Sequence, residues 1–444
     1  LGKKTCNYRL LFFKNSYFMK LSEVNVNKNI IYNALGVFFP LLAAAYAIPF
    51  LNESLNKEEF SLVFIIWAII GYFSLFDFGI GRALTFSISE INHNKKSEIT
   101  SYIKGGLIIV VLTSILGSLL VFAFAEFVVG DWYKMSEYTK QDAKISLFIA
   151  ALAVFPTTVT AAFRGALEGL NKYLYSNINR SILGVGMFLA PVMSIINHGS
   201  SLIVIAIYLF FIRFFVMILA IAQLKNYLFV NSSIKLNEII SRLFGYGMWV
   251  SLSGVISPLL LYGDRLFLGG IIGLNLIGPY ATVQEAVIKL LVIPGSMASA
   301  LFYEFSSSKN SEKAIKEMAL SYKKKLSLLM LLIIFMIVLF GKSGLSLWID
   351  DDFASNAYIP LVFMSIGIFF NSIALIPHTV LSSLGEVSYI AKAHSLELIL
   401  MIPAVFYFTN NYGIVGASFV WAIRPILDYF LLDHRAKKIV NQAK

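Results

Sequence analysis

Eight charged residues stand inside stretches that are otherwise apolar, and their types define the chemistry open to this chain. Four are basic and four are acidic: Arg82, Arg265, Lys289, Arg424, Asp77, Asp264, Glu285 and Asp428. A guanidinium presents a planar fork of donors that matches phosphate and carboxylate oxygens, whereas an ammonium acts more as a point charge. Carboxylates can exchange protons or neutralise the bases. The set therefore predicts either a site for an anionic ligand or a group of internal ion pairs.

The spacing of these residues arranges them in pairs. Glu285 and Lys289 are four residues apart with the acid first, the order that stabilises a local ion pair on one helix face. Asp77 and Arg82 are five residues apart in DFGIGRALT, where the glycines allow a bend. An ionised group deep in lipid costs on the order of 2.5–3.5 kcal/mol, so each needs a partner or a water-filled cavity. Neutralisation within pairs therefore competes with a cavity role.

We predict a cationic substrate-binding cavity lined by four bases: Arg82, Arg265, Lys289 and Arg424. We predict four acids as coupling groups or ion-pair partners: Asp77, Asp264, Glu285 and Asp428. Arg424 lies four residues before Asp428, so a local pair is the alternative for it. Arg164 and Arg213 either extend the cavity or snorkel to the cytoplasmic interface.

Metal, redox and nucleotide chemistry have little support in the sequence. Cys6 is the single cysteine, and the five histidines lack a metal-binding spacing such as HExxH. No Walker motif GxxxxGK[ST] occurs, so we expect no ATP hydrolysis by the chain itself. We therefore predict no catalytic residue, no metal site and no cofactor, with proton or sodium coupling as the expected energy source.

The composition indicates that lipid surrounds most of the chain, including the stretches that hold the charged residues. Of the 444 residues, 58% are hydrophobic and 14% are charged, and the mean hydropathy is +0.76. A chain with this balance has lipid as its main solvent. The net charge of +11 is explained by basic cytoplasmic loops, so we expect no nucleic-acid partner. We predict an all-α integral membrane protein.

Hydropathy predicts about twelve transmembrane helices, at residues 29–51, 60–81, 103–126, 145–166, 174–196, 201–224, 246–270, 276–301, 326–348, 358–381, 389–409 and 413–434. About 27 of the 36 Lys and Arg residues fall on the side of the two termini and about 5 on the other side. Both termini are therefore predicted to be cytoplasmic. The predicted domains are a cytoplasmic tail at 1–28, a six-helix lobe at 29–224, a cytoplasmic linker at 225–245, a six-helix lobe at 246–434 and a cytoplasmic tail at 435–444.

An internal repeat relates the two predicted lobes. The residue types of Leu167, Leu170 and Tyr175 recur with the same spacing at the corresponding place in the second lobe, and Trp132 has its counterpart in Trp348. Because each lobe holds an even number of spans, the two lobes have the same orientation. The repeat predicts two parallel lobes around a central cavity. All eleven prolines lie within or beside predicted spans, where we expect hinges or static kinks.

Three segments carry a resemblance to a known family: KNIIYNALGVFFPLL, GYFSLFDFGIGRALT and LLYGDRLFLG. With the arrangement of six plus six spans, they resemble bacterial O-antigen repeat-unit flippases. Those proteins belong to the larger group of multidrug and toxic-compound extruders and the peptidoglycan lipid flippase. The resemblance extends over the whole chain from about Lys28, and DFGIGRALT is its most specific part.

The resemblance implies a flippase that moves undecaprenyl-pyrophosphate-linked oligosaccharides to the outer leaflet of the bacterial inner membrane by ion-coupled alternating access. It implies the multidrug and toxic-compound extrusion fold, and an O-antigen polymerase and a chain-length regulator as partners beside membrane lipid. Asp77 and Arg82 match the family's second-span motif, and Asp264 with Arg265 match its charged pair in the seventh span. Any of the membrane acids, Glu397 included, is available for coupling.

Three alternative functions remain open from the sequence. A multidrug or cation antiporter of the same fold would have an acidic cavity, whereas the proposed site is basic. A membrane glycosyltransferase or O-antigen polymerase would need a sizeable outer loop, and the longest outer connection here runs only over about residues 126–144. A scaffold without transport would leave the membrane arginines unexplained.

Overall fold

The computed structural model describes residues 26–73, 79–89, 91, 95–228, 239–240, 256, 259–306 and 312–442. Its regular elements in these ranges are all helices. Eight helical segments among the described residues are long and apolar enough to cross a membrane. The predicted all-α membrane fold is confirmed. The lobe and tail boundaries stay predictions, and most of residues 1–28 and 225–245 lie outside the described ranges.

The described helices follow the predicted spans, except that residues 246–255 and 257–258 of the seventh span lie outside the described ranges. In the N-terminal half they are α1 Val26–Ser54, α2 Lys57–Phe73, α3 Ile80–Ser89, α4 Lys96–Phe127, α5 Glu137–Gly169, α6 Tyr173–His198 and α7 Leu202–Leu228. In the C-terminal half they are α8 Asp264–Ile272, α9 Ile277–Lys289, α10 Val292–Ser306, α11 Glu312–Trp348, α12 Asp351–Ser383 and α13 Val387–Gln442. Gly413, which has non-helical backbone angles, divides α13 into the last two spans.

Two predicted spans depart from a single straight helix. In the second, Gly79 has a φ of 68°, in the left-handed region that favours glycine, and α3 begins directly after it at Ile80; residues 74–78 lie outside the described ranges. The eighth span breaks between α9 and α10, shortly before Pro294. Proline lacks an N–H and tolerates a position in the first turn of a helix, which is where α10 holds it. The predicted kink is confirmed there as a break.

The predicted repeat has a structural counterpart in two turns. Asn171, between α5 and α6, has a φ of 58°, and Gly385, between α12 and α13, has a φ of 80°. Lys172 N donates to the Leu167 carbonyl at 2.8 Å, and at the equivalent place in the second half Glu386 N donates to the Leu381 carbonyl at 2.9 Å. Because the same turn closes the same helix pair in each half, the two halves are parallel repeats.

The described hydrogen bonds and ion pairs between the halves lie at one end of the bundle, which the charge pattern predicts to be the outer end. Lys57 Nζ lies 2.8 Å from Asp352 Oδ2, and Asn52 Nδ2 donates to Asp350 Oδ2 at 3.1 Å. The Gly278 N–H donates to Ser61 Oγ at 2.8 Å. The described contacts therefore join the halves at the end that the charge pattern predicts to be the outer one.

Candidate substrate cavity and buried charge clusters

A basic cavity lies between α2, α5, α6 and α7 of the N-terminal half. Its volume is about 310 Å³, and it is lined by Trp67, Ile70, Gly71, Thr157, Thr160, Ala161, Arg164, Asn179, Arg180, Leu183, Gly184, Met187 and Arg213. Within the part of the chain that the structure describes, this lining contains three arginines and no acidic residue. The cavity, which we call the arginine cavity, extends from the middle of α7 toward the ends of α5 and α6 that are predicted to be cytoplasmic.

Arg213 is the innermost of the three arginines and is 5% exposed. Its Nη1 donates to the Leu209 carbonyl one turn earlier at 2.8 Å, and its buried Nε has no hydrogen-bond partner within the described structure. A charged group held this way in a low-dielectric interior has donor capacity left for an anion. The snorkelling alternative is wrong for Arg213, because its guanidinium stays inside the protein.

Arg164 and Arg180 line the arginine cavity near the end that the charge pattern predicts to be cytoplasmic. Both are exposed, and they repel each other electrostatically. Arg164 Nε lies 3.8 Å from Glu168 Oε1, one turn further along α5, and Glu168 also accepts a hydrogen bond from Ser176 Oγ at 2.8 Å. One carboxylate thus offsets part of the charge of two arginines.

Close helix packing places Arg164 at the cavity. A Cβ added at the neighbouring Gly165 would lie 1.9 Å from the carbonyl oxygen of Gly81, so the two backbones meet where a larger residue would not fit. Thr85 Oγ1 donates to the Gly165 carbonyl at 2.9 Å and adds a polar tie between α3 and α5. The GIGRALT segment therefore fixes the rotation of the helix that carries Arg164.

In the first charge cluster of the C-terminal half, the charged side chains pair with one another. Arg265, only 1% exposed, has its Nη2 3.1 Å from Glu285 Oε1 and its guanidinium 5.0 Å from the centre of the Tyr262 ring. Lys289 Nζ lies 3.4 Å from Glu285 Oε2, which confirms the predicted i,i+4 pair. We call this group, together with Gln284, the Arg265 cluster.

Asp264 is bound into the same cluster although it neighbours Arg265 in sequence. It accepts hydrogen bonds from the Tyr280 hydroxyl and from Gln284 Nε2, the latter at 3.1 Å to Oδ2. Gln284 in turn accepts from Arg265 Nε. The cluster ties α8 to α9, so its geometry gives Arg265 the role of an internal partner in this conformation.

A second charge cluster joins the last two spans. His394 Nε2 lies 3.4 Å from Asp428 Oδ1, and Arg424 Nη1 lies 3.7 Å from Glu397 Oε2. All four side chains are 3–8% exposed. The ring of His378 on α12 stacks on that of His394 with centroids 6.2 Å apart. We call the four residues His394, Glu397, Arg424 and Asp428 the hairpin cluster.

The eight predicted site residues do not converge on one cavity. Arg82 is exposed at the start of α3, and Asp77 lies outside the described residues. Five of the remaining six are buried in the two clusters of the C-terminal half, and the sixth, Lys289, is partly exposed beside Glu285. Their predicted contacts with substrate stay predictions. Arg424 meets Glu397 as its ion-pair partner, and the local pair with Asp428 is replaced by the contact of Asp428 with His394.

Sequence reasoning missed Arg180 and two of the three histidines of the C-terminal half, His378 and His394. Arg180 lies near the start of α6, within the predicted span 174–196, and that position was the available signal. His378 and His394 drew no attention because their spacing matches no metal motif. Their position within the predicted tenth and eleventh spans was the available signal.

A protein-family model and a sequence relative match most of the chain. The model of the family described as polysaccharide biosynthesis protein matches residues 26–309. A protein of Shigella flexneri named "Putative O-antigen transporter" is 28% identical over 416 residues, which make up 92% of this chain and 97% of that protein. The recognition made from the three segments is confirmed.

Solved structures agree with the fold. An inward-facing multidrug resistance MATE family transporter of the MOP superfamily has a TM-score of 0.76 at 12% identity, covering 94% of this chain and 99% of its own. The lipid II flippase MurJ in an inward closed conformation has a TM-score of 0.69 at 15% identity, covering 93% of this chain and 87% of its own. These similarities show the fold of two six-helix lobes around a central cavity. Because the family model matches more than half of its length, the chain belongs to the polysaccharide biosynthesis protein family.

Proposed function

We propose that this chain is a flippase that moves undecaprenyl-pyrophosphate-linked oligosaccharide repeat units from the cytoplasmic to the outer leaflet of the bacterial inner membrane. The observation that carries the proposal is the arginine cavity, whose lining among the described residues holds three guanidinium groups and no carboxylate. A pyrophosphate carries two or more negative charges and presents oxygens that match guanidinium donors. A lipophilic cation would be repelled from the same cavity, which argues against a cation antiporter.

The conformation supports loading from the cytoplasmic side. The halves are joined at the outer end through pairs such as Lys57 with Asp352. The residues that line the arginine cavity lie nearer the opposite end, where both termini are predicted to lie. Parallel halves that separate at one end and join at the other provide alternating access. Opening the outer end would then expose the bound headgroup to the outer leaflet.

The lipid tail needs a path that keeps it in an apolar environment. An apolar groove of about 770 Å³ lies between α1, α6 and α7, and its lining includes Phe39, Val185, Leu189 and Phe211. Helix α6 contributes residues to this groove and to the arginine cavity. We assign the groove to the start of the polyprenyl chain, so that the pyrophosphate enters the cavity while the tail remains in lipid.

The proposal is tested by deleting the gene and replacing it with wild-type or variant chains. We expect deletion to abolish surface polysaccharide and to trap lipid-linked single repeat units at the inner leaflet. Wild type restores the surface polymer, whereas an Arg164→Gln, Arg180→Gln, Arg213→Gln triple variant at equal membrane abundance does not.

Lys225→Gln is the matched control, since it removes an exposed positive charge from α7, the helix that carries Arg213, but outside the cavity. It is expected to restore surface polymer fully. Unchanged polymer after deletion, accompanied by altered drug tolerance, would instead favour an extruder. Purified chain that joins sugar units in a test tube would favour the polymerase alternative.

A further inference from the structure

We propose that the hairpin cluster is the site at which this chain binds and releases the proton that drives transport. The cluster brings together His394 and Glu397 from the eleventh span and Arg424 and Asp428 from the twelfth. The coupling role rests on the proposed transport function, whereas proton binding by the cluster does not.

The polar atoms of the hairpin cluster are poorly satisfied, in contrast to those of the Arg265 cluster. Buried atoms without a hydrogen-bond partner in the described structure include both carboxylate oxygens of Glu397, Asp428 Oδ1, His394 Nδ1 and Arg424 Nε. The two ion pairs, at 3.4 and 3.7 Å, are too long for good hydrogen bonds, and the carboxyl groups of Glu397 and Asp428 also interact with each other. Buried polar groups are nearly always paired, so five such atoms beside two neighbouring carboxyl groups indicate a site that can accept a shared proton.

The net charge of the hairpin cluster indicates that the cluster can take up one positive charge. With neutral histidines, two carboxylates and one guanidinium leave the buried cluster with a net charge of −1. Uptake of one proton by a carboxyl makes the cluster neutral and supplies a donor to the orphaned acceptors. The cost of a buried uncompensated charge thus favours proton binding.

Groups on the neighbouring helices leave this charge count unchanged. His378 on α12 faces His394 and can share the proton. Asp264 and Arg265 on α8 are engaged with Tyr280, Gln284 and Glu285. Lys323 on α11 is engaged with Asp433, just over one turn beyond Asp428, at 2.9 Å.

A metal cation fits the hairpin cluster less well than a proton does. Sodium and divalent cations take several oxygen ligands, whereas the cluster offers two carboxylates with a guanidinium among them. The described residues contain no group of three or more side chains arranged to hold a metal ion. Imidazoles beside carboxylates are suited to proton exchange near neutral pH.

The position of the cluster connects protonation to helix movement. The two spans that carry it meet at the break at Gly413, and Trp421 Nε1 donates to the Leu261 carbonyl of the seventh span at 3.0 Å. Leu261 precedes the Asp264–Arg265 pair in the same segment. A change in charge between the last two spans therefore acts on the helix that anchors the Arg265 cluster.

Proton binding is tested on purified protein in lipid nanodiscs by infrared titration. We expect wild type to show the band of a protonated carboxyl that disappears as the pH is raised. Glu397→Gln or Asp428→Asn should remove this band, Glu397→Asp should retain it, and Glu317→Gln, which alters an exposed carboxylate in the same half, should leave it unchanged. No band in wild type, or a band that persists in both cluster variants, would overturn the proposal.

Coupling is tested in proteoliposomes with a synthetic polyprenyl-pyrophosphate-linked monosaccharide as the probe. For a one-for-one exchange, a tenfold proton gradient should give wild type an accumulation on the order of tenfold. Glu397→Gln should only equilibrate the probe across the membrane. Accumulation by Glu397→Gln equal to that of wild type would refute the coupling role. Absence of probe movement in every chain, with the infrared titration intact, would count against the flippase function and not against the proton site.

Discussion

The two halves of this chain bury charge in different ways. Among the described residues of the N-terminal half, Arg213 is the one buried charged side chain, and no carboxylate lines its cavity. In the C-terminal half six buried charged side chains meet in two clusters: Asp264, Arg265, Glu285, Glu397, Arg424 and Asp428. Parallel repeats of one fold have thus acquired different electrostatics.

This difference between the halves indicates which half serves which step of transport. A basic cavity without acids retains binding capacity for an anionic headgroup, whereas paired charges hold helices together and respond to protons. The arginine cavity therefore suits substrate, and the clusters of the other half suit structure and coupling. Four predictions test this division, in order of decreasing effect.

The largest effect is expected from Arg265→Leu. Removal of the guanidinium leaves Glu285 with Lys289 alone and leaves Gln284 without its donor, and breaking a buried pair costs about 3–5 kcal/mol. The thermal midpoint and the yield of monodisperse protein should fall steeply. The double variant Arg265→Leu, Glu285→Leu should recover part of the loss. Equal stability of Arg265→Leu and wild type would show that the cluster has no structural role.

Arg213→Leu should have the opposite effect: a large loss of transport with little loss of stability. Because Arg213 has no acidic partner among the described residues, its loss should change the free energy of unfolding by less than about 1 kcal/mol. Transport of the polyprenyl-pyrophosphate probe should fall by about 10- to 100-fold, the value of one charge-assisted contact. Thermal midpoints measured beside flux separate the two effects. A loss of folded protein as large as that for Arg265→Leu would erase the contrast between the halves.

Gly385→Ala probes the turn that the halves share. A left-handed backbone costs an L residue other than asparagine or aspartate about 1–2 kcal/mol, and Gly385 has a φ of 80°. Gly385→Asn should cost less, because Asn171 holds the same position of the repeat with a φ of 58°. Thermal midpoints of the two variants should differ in this order, and the reverse order would contradict the equivalence of the turns.

Lys57→Asp should weaken the joint between the halves at the outer end. An exposed ion pair is worth about 0.2–1 kcal/mol, so the outward-facing population should rise by up to about fivefold. The measurement is the rate at which a thiol reagent added from the outside labels a cysteine introduced at Thr160 in a Cys6→Ser background. The swap Lys57→Asp, Asp352→Lys should restore the wild-type labelling rate. Labelling that is unaffected by Lys57→Asp would remove this pair from the gate.

Local features were predictable from sequence and nonlocal ones were not. The pair of Glu285 with Lys289 follows from helix geometry, and the paired turns at Asn171 and Gly385 follow from repeated residues nearby. Arg424 and Glu397 belong to different spans, and their contact depends on the hairpin folding at Gly413. Spacing rules favoured the nearer acid, Asp428, and could not detect a partner on another helix.

The sequence by itself determined that the chain is embedded in a lipid bilayer, that it forms about twelve helices and that the halves are parallel. These properties follow from hydropathy summed over each segment and from the parity of spans, which need no knowledge of how helices pack. The tertiary structure alone decided which charges meet. The rotation of each helix about its own axis depends on close contacts such as that of Gly165 with Gly81. Turning a helix by the angle between one residue and the next would move an arginine from a cavity into lipid.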